Sequence, residues 1–257
     1  MFSNIWDLAF WATVTFTTPL TIALLPLFRV QISERILHLM LGFSAGILGA
    51  LTFVDILPEA FDVARETLVP SSYVSFGVAI GFFILLIVER YLLATEEIHG
   101  GHFHIHGKPI DPSHGFMGVS ALTFHGFMDG FVIPIGFSVG AEVGTIVTLA
   151  IAIHQIPDSF AALSLAISST ESRRQAILCV LATAVDTPLG IGMGFFLVGL
   201  GKFMVPLSLG LCAGTFIYVS AVDLVPELHC SRSPLVVVSM ILGFLVIVVL
   251  SLLLPHV

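Results

Sequence analysis

Charged residues are scarce in this sequence: Asp, Glu, Lys and Arg make up 10% of its 257 residues, against roughly 25% in an ordinary soluble domain. Only nine residues are basic and the formal net charge is −8, which argues against nucleic acid as a partner and is compatible with attracting cations. Hydrophobic residues instead make up 57% of the chain. This composition excludes an ordinary soluble domain and predicts a protein that lies in a lipid bilayer.

Cysteine is also scarce. The three cysteines, Cys179, Cys212 and Cys230, lie in or beside apolar segments, and their spacing matches neither a disulfide framework nor a zinc-binding cysteine motif. The beginning of the sequence lacks the basic stretch of a cleavable signal peptide. We therefore expect the cysteines to be small apolar packing residues and the first apolar run to be a retained helix.

Long apolar runs are abundant. Eight of them are long enough to cross about 30 Å of hydrocarbon as helices: 8–28, 36–61, 73–93, 116–137, 143–167, 176–200, 204–225 and 235–254. The pattern predicts an all-α polytopic membrane protein with eight transmembrane helices, folded as a single transmembrane domain over residues 1–257.

The basic residues predict the orientation of these spans. When the loops are assigned alternately to the two sides of the membrane, only Arg65 and Lys202 lie on one side. The other side carries the remaining basic residues: Arg29, Arg35, Arg90, Lys108, Arg173, Arg174 and Arg232. Because basic loops stay in the cytoplasm, both termini are predicted to be extracytoplasmic and loop 94–113 cytoplasmic. The compact chain with its short loops suits a plasma (inner) membrane.

The second and seventh spans share a sequence pattern. Ala45-Gly46 followed by Asp-Ile-Leu-Pro-Glu at 55–59 returns, at a constant offset of 168, as Ala213-Gly214 followed by Asp-Leu-Val-Pro-Glu at 223–227. The predicted topology gives these two helices opposite directions. The pattern therefore predicts an inverted repeat, with helices 1–3 related to helices 6–8 around helices 4 and 5, as in many transporters. Chance similarity between two apolar helices that end in a proline turn is the alternative.

Two matched His-x-x-x-Asp pairs lie inside predicted spans four and five: His125 with Asp129, and His154 with Asp158. Four residues along a helix return to nearly the same face, so each pair can present an imidazole and a carboxylate to one ion. His125, His154 and Asp186 of span six all fall near the predicted midplane. Structural hydrogen bonding is the alternative for each residue alone. Together they indicate a site for Zn²⁺, Fe²⁺ or Mn²⁺, and the absence of thiolates argues against Cu(I).

Acidic residues near the ends of spans two and seven form a second group of candidates. Asp55 and Glu59 lie toward one side of the membrane and Asp223 and Glu227 toward the other. They are candidates for acidic vestibules that concentrate cations at the two mouths of a pathway. For the two glutamates, a carboxylate that simply faces solvent at a helix end is the alternative.

The predicted cytoplasmic loop 94–113 is rich in histidine. Its histidines at short spacing are His99, His102, His104 and His106. Such a tract binds metal flexibly and with low selectivity, and without a rigid framework it is a poor catalytic site. We expect it to bind or sense released metal, and a plain solvated linker is the alternative.

On these motifs the sequence resembles the ZIP (Zrt/Irt-like) family of divalent-metal transporters over essentially its whole length. Family helices four and five carry His-Asn-x-Pro-Glu-Gly and a related motif, which correspond here to 125–130 and 154–159. The ending of span two, the histidine-rich loop and the external termini are similar too. The resemblance implies a homodimer, a metal site between helices four and five, uptake into the cytoplasm, and an elevator-like or rocking movement of one helix bundle against the other.

The chain departs from the family pattern inside these motifs. Both family glutamates are aspartates, Gly126 replaces the asparagine, and Met128 replaces the proline before the first acid. Gln155 stands where members with two metal positions have an acidic residue. Asp186 lies one residue before the position where some members place a glutamate. These departures favour one principal metal position over a paired site.

The sequence therefore predicts transport of a divalent metal cation into the cytoplasm through a midplane site on helices 4 and 5. Its predicted ligands are His125, Asp129, His154 and Asp158, with Asp186 as a fifth. Zinc is the first candidate and iron or manganese the others, and the metal is substrate rather than catalytic cofactor. An intramembrane zinc-dependent hydrolase is the alternative function, although the sequence has no His-Glu-x-x-His segment. A proton relay through the aspartates is a third.

Overall fold

The computed structural model describes residues 5–24, 33–88, 112–169, 173–201, 203–225 and 233–253, and within these ranges it contains helices and no strand. The α-helices are α1 (Ile5–Leu24), α2 (Glu34–Ala50), α3 (Leu57–Glu66), α4 (Ser72–Ile87), α5 (Pro112–Val139), α6 (Ala141–Ser169), α7 (Arg173–Val198), α8 (Met204–Tyr218) and α9 (Pro234–Leu253). Two π-helical segments, Leu51–Ile56 and Val219–Leu224, continue α2 and α8.

Six of the described helical stretches are long and apolar enough to cross a membrane: His38–Glu66, Leu122–Val139, Ala141–Phe160, Ile177–Val198, Met204–Val222 and Pro234–Leu253. Helix α1 has 20 residues, and α4 is a shorter apolar helix of 16 residues. Because α2, the first π segment and α3 form one continuous helix, the described chain has eight long helices in the predicted order. The prediction of an all-α polytopic membrane protein is confirmed. The predicted second span, 36–61, was too short, since its helix ends at Glu66.

The two π-helical segments lie 168 residues apart, the offset of the sequence repeat. The amide of Leu57 donates to the carbonyl of Thr52, and the amide of Val225 donates to the carbonyl of Ser220. Pro58 gives a physical reason for the first segment, since proline has no N–H and its ring crowds the carbonyl four residues earlier. A π turn widens the helix at that point. Proline stands at the corresponding position 226 of the sequence.

Helix packing follows the same repeat. Helix α2 packs along α9, and α8 packs along α4. Gly46 in α2 lies so close to the carbonyl oxygen of Met240 that a Cβ would clash, and Gly214 in α8 has the same relation to Val78. Gly46 and Gly214 hold equivalent positions in the two repeats, as do Met240 and Val78, so the two contacts are equivalent. The same equivalence relates a second set of glycine–carbonyl contacts, Gly243 with Phe43 and Gly81 with Leu211.

The helices form two groups. Helices α2, α3, α4, α8 and α9 pack mainly against one another, and α1, α5, α6 and α7 form the second group. The groups meet chiefly where α2 packs against α6 and where α5 packs against α8, and these contacts are less extensive than those inside each group. Both predicted His-Asp pairs lie in the second group, on the helices that make these contacts.

Candidate metal site

The two His-Asp pairs converge between α5 and α6. Within one helix, the Nε2–Oδ2 distance is 3.6 Å for His125–Asp129 and 3.8 Å for His154–Asp158. Between the helices it is 3.4 Å for His125–Asp158 and 3.1 Å for His154–Asp129. The imidazole of each helix thus approaches the carboxylates of both helices. Each carboxylate oxygen thus lies within 3.8 Å of both Nε2 atoms, and the shared helix face that the sequence predicted accounts for the two contacts within one helix.

Burial and hydrogen bonding fix the orientation of these side chains. His125, Asp129 and His154 are buried, and one potential ligand atom from each lies within 4.8 Å of the others. The Nδ1 atom of His154 lies 3.0 Å from the carbonyl oxygen of Ala150. Because a carbonyl only accepts hydrogen bonds, Nδ1 carries a proton and Nε2 points into the site. A backbone carbonyl orients metal-binding histidines in this way in many proteins.

Small residues allow the surrounding helices to approach closely. Gly130 in α5 lies against the carbonyl of Thr187, and Gly190 in α7 lies against the carbonyl of Phe127. A Cβ at either position would collide with backbone, so the two glycines allow α5 and α7 to pack closely. Helix α5 continues without a break through Pro134.

A small cavity of about 20 Å³ lies beside the converging donors, with room for about one water-sized particle. Its walls come from α5, α6 and α7 and are formed by Leu122, His125, Gly126, Asp129, Gln155, Asp158, Ser159, Ala162, Thr183 and Asp186. Asp158 is the most exposed of the four converging residues, with 15% of its side chain accessible. The cavity extends toward the end of the helix group at which α5 and α7 begin and α6 ends.

Asp186 lies on the α7 wall of this cavity rather than among the four converging donors. Its side chain is buried, and its carboxylate faces Gly126, where a Cβ would lie only 2.6 Å from Oδ2. The hydroxyl of Thr187 donates to Asp186 Oδ1 over 3.0 Å, and the Thr187 amide donates to the same oxygen. The structure thus brings Asp186 to the same cavity that the predicted depth indicated.

Three residues around the site were not predicted as parts of it. Gln155 Nε2 donates to Thr187 Oγ1 over 3.1 Å. The ring of Phe216 in α8 is buried, and its centroid lies 6.4 Å from those of His125 and His154, with the rings edge to face. Gln155 lies inside the helix-five motif, but a threonine and a phenylalanine in apolar helices carry no distinctive sequence signal. For Phe216, its place two residues after the repeated Ala-Gly was the available clue.

The acidic vestibule residues have different surroundings in the structure. Asp55 lies in the first π segment with only 2% of its surface exposed, and Glu59 follows one turn later, partly exposed. Asp55 therefore does not face open solvent in this state. The backbone of Asp223 lies in the second π segment, whereas Glu227 lies outside the described residues. The vestibule role of all four stays a prediction, as does that of the loop histidines, His99 to His106, which also lie outside.

A protein-family model described as the ZIP zinc transporter matches residues 95–251 of the chain. The chain belongs to the ZIP family. The match covers the site helices and the second repeat, and it confirms the resemblance that the sequence motifs indicated.

Individual ZIP relatives are similar over different parts of the chain. Human zinc transporter SLC39A7 is 30% identical over 149 residues, 55% of this chain and 32% of the relative. Zebrafish zinc transporter ZIP1 is 25% identical over 83% of this chain and 84% of its own length. The rat metal cation symporter ZIP8 is 22% identical over 89% of this chain and 64% of its own length.

These names bear on the class of function. The chain spans about a third of the length of SLC39A7. All three relatives are named as transporters or symporters and none as an enzyme. This agrees with the prediction of a transporter and does not favour the intramembrane hydrolase.

Proposed function

We propose that this ZIP family member moves a divalent metal cation, zinc in the first place, across the membrane through His125, Asp129, His154 and Asp158. The observation that carries the proposal is the convergence of two imidazole nitrogens and two carboxylates from neighbouring helices, at N–O distances between 3.1 and 3.8 Å. Ionisable residues inside a membrane bundle are costly and mark ion pathways by default. The family match supports the same class of substrate.

The chemistry of the four donors suits a dication that must bind reversibly. Two carboxylates neutralise the two charges of the ion, so the loaded site is neutral inside the bilayer. Neutral imidazole with carboxylate oxygen is a ligand set for Zn²⁺, and iron and manganese also accept these donors. No thiolate is among them, so the binding is weaker than in a closed structural zinc site. Moderate affinity permits release.

Access to the site supports delivery into the cytoplasm. The cavity extends toward the end at which α7 begins, where Arg174 is exposed, and basic residues flank the cytoplasmic ends of membrane helices. Toward the opposite end of the site, Ile133 and Ile151 are fully buried. In the proposed orientation, with both termini outside in a plasma (inner) membrane, the site is open to the cytoplasm in this state.

We propose that movement of one helix group against the other opens the site to the outside. All four donors lie in the group of α1, α5, α6 and α7, so they travel together. The contacts between the groups are chiefly those of α2 with α6 and of α5 with α8, whereas glycines that touch neighbouring backbone bring helices close together inside each group. A rigid displacement of the site-bearing group, elevator-like or rocking, therefore breaks few contacts. Transporters with inverted repeats commonly alternate access in this manner.

Zinc uptake by the full chain in proteoliposomes tests the site. We expect His125→Ala and Asp158→Ala each to lower initial zinc uptake about tenfold or more, since even loss of a residue that supports a metal ligand costs about 10–100-fold in affinity. Asp62→Ala is the matched control, because Asp62 is exposed and its carboxylate pairs with Arg65 one turn away, at 2.9 Å. Wild-type uptake in both site variants would show that the site assignment is wrong. Absence of zinc flux in the wild type would refute transport itself.

Further parts of the proposed function concern regions outside the site. We expect the histidines of loop 94–113 to bind metal released on the cytoplasmic side. We expect the vestibule residues to attract cations to the pathway; these are Asp55, Glu59, Asp223 and Glu227. We also expect the chain to form a homodimer.

A proton relay without metal is the competing account of the aspartates. Vesicle currents that follow pH and ignore added zinc would favour the relay.

A further inference from the structure

The ring of Phe216 connects the two helix groups at the metal site. Phe216 lies in α8, which belongs to the first group, and it is fully buried. Its centroid lies 6.4 Å from that of the His125 imidazole and 6.4 Å from that of the His154 imidazole, at interplanar angles of 74° and 72°. The cavity walls come from α5, α6 and α7, so the ring from α8 meets the imidazoles on another side. One side chain of the first group therefore packs on both imidazoles of the site-bearing group.

The geometry of both contacts is one that aromatic rings prefer. Aromatic pairs favour edge-to-face arrangements with centroids about 4.5–7 Å apart, because the positive edge of one ring meets the negative face of the other. An aliphatic side chain at position 216 would also bury apolar surface, but it would lack this directional attraction. The two contacts therefore stabilise the present position of the site-bearing group beyond the effect of burial alone.

The repeat has leucine at the position equivalent to Phe216. The offset of 168 relates Phe216 to Leu48 in α2, and Leu48 is fully buried as well. The offset of 29 between the two site helices relates His125 to His154. Exchange of the two halves therefore turns the contact of residue 216 with both imidazoles into a contact of residue 48 with both. In the outward-facing state, leucine would thus stand where phenylalanine stands in this state.

We propose that Phe216 is a positioning residue that favours the cytoplasm-facing position of the metal site, because its ring packs on both imidazoles there and Leu48 has no ring to replace it in the opposite state. The inference rests on the proposed function and deepens it, since it identifies a residue that biases the movement of the helix groups. The populations of two states follow the difference between their free energies. A difference between equivalent residues of the two repeats therefore shifts the populations while the four donors stay the same.

Side-specific thiol labelling of the full chain measures these populations. In a background in which Cys179, Cys212 and Cys230 are replaced, Leu122→Cys reports the cytoplasm-facing state, because Leu122 lines the cavity and is partly exposed. Ile151→Cys reports the outward-facing state, because Ile151 is the counterpart of Leu122 and is fully buried here. A charged, membrane-impermeant thiol reagent reaches the first in inside-out vesicles and the second in right-side-out vesicles. The ratio of the two labelling rates follows the ratio of the two populations.

Phe216→Leu removes the ring and introduces the residue of the other repeat. We expect it to lower the ratio of cytoplasmic to external labelling about tenfold, a factor that corresponds to about 1.4 kcal/mol. Leu48→Phe, added to Phe216→Leu, moves the ring to the other repeat and should lower the ratio about tenfold again. Phe82→Leu is the matched control, because the half-buried Phe82 packs edge to face on Tyr218 within the first group, with centroids 5.3 Å apart. It removes an aromatic contact of the same kind and should leave the ratio unchanged.

The outcomes separate this inference from the proposed function. An unchanged ratio in Phe216→Leu, in a background that moves zinc, would overturn the inference and leave zinc transport standing. A fall of the same size in Phe82→Leu would overturn it too, because the effect would then come from packing in general. If Phe216→Leu is not recovered as a monodisperse protein, Phe216→Met, which also removes the ring, decides. Absence of zinc flux in the wild type would instead refute the proposed function.

Discussion

Asp129 and Asp158 contribute equivalent carboxylates to the site, but their surroundings differ. Asp129 is 2% exposed and lies beside the fully buried His154, whereas Asp158 has 15% of its side chain exposed and faces the cavity. Both residues border the cavity, but the smaller accessible surface of Asp129 leaves less free space for an added methylene there than at Asp158. Overpacking of a buried site costs about 1–3 kcal/mol.

Lengthening each aspartate to glutamate should thus have unequal effects. We expect Asp158→Glu to keep zinc uptake near the wild-type rate, and Asp129→Glu to lose most uptake and to lower the melting temperature of the detergent-purified protein. Uptake in proteoliposomes and thermal unfolding measure the two effects. Equal uptake by the two variants would mean that the burial of Asp129 does not constrain the ion.

At the level of residues, the four donors and Asp186 could be predicted, whereas the hydrogen bond that links Gln155 to Thr187 could not. His125 and Asp129 could be paired from sequence because four residues along a helix share a face. The approach of Asp158 to His125 followed from the short connection between α5 and α6. The bond between Gln155 and Thr187 depends on how α6 is rotated relative to α7. Neutral polar residues give no sign of that rotation in the sequence.

Glycines that touch a neighbouring backbone determine how closely the paired helices pack. Gly46 and Gly214 are equivalent in the repeat, and a Cβ at either would collide with a carbonyl oxygen of α9 or α4. Gly49 lies one turn from Gly46 in the same helix, and a Cβ there would meet nothing within 4 Å. Substitution of Gly49 therefore reports the effect of helix propensity alone, whereas substitution of Gly46 or Gly214 also reports the effect of interhelical contact.

Alanine substitutions at these three glycines should have different effects on stability. Gly46→Ala and Gly214→Ala should each destabilise the protein, by about 1–3 kcal/mol, and by similar amounts because the contacts are equivalent. Gly49→Ala should be neutral or stabilising by up to about 1 kcal/mol, since alanine favours helix over glycine. Thermal unfolding in detergent compares them. A loss of stability in Gly49→Ala as large as in the other two would contradict this account of the packing.

The elements themselves were predicted in number and order, but not in detail. The repeated Ala-Gly and Pro-Glu residues of spans two and seven indicated the inverted repeat, which the equivalent glycine contacts reproduce. The π segments were not anticipated, although each precedes a proline that disturbs the helical bonding before it. Whether a helix responds to proline by a kink, a break or a π turn depends on tertiary packing. The sequence around Pro58 does not contain that information.

At the scale of the molecule, residues at the two ends of the metal site differ in exposure. The sequence equivalence of α5 and α6 relates the residues at one end to those at the other. The offset of 29 that relates His125 to His154 also relates Leu122 to Ile151 and Ile133 to Ala162. Leu122 lines the cavity and is partly exposed, whereas its counterpart Ile151 is fully buried. Ala162 also borders the cavity but is only 1% exposed, and its counterpart Ile133 is fully buried too. Exchange of the two halves would therefore bury Leu122 and expose Ile151. The exposure of residues in this cytoplasm-facing state therefore predicts the exposure of their counterparts in the outward-facing state.

Thiol labelling from each side of the membrane tests this exchange together with the orientation. In a background in which Cys179, Cys212 and Cys230 are replaced, we expect Leu122→Cys to react with a charged thiol reagent from the cytoplasmic side, because it lines the open cavity. Ile151→Cys, at the counterpart of Leu122, should react from the outside alone and more slowly, because it is exposed only after the helix groups have moved. Right-side-out and inside-out vesicles give the two rates. Reaction of both cysteines from one side would rule out alternating access at this site, and reversed sides would instead invert the proposed orientation.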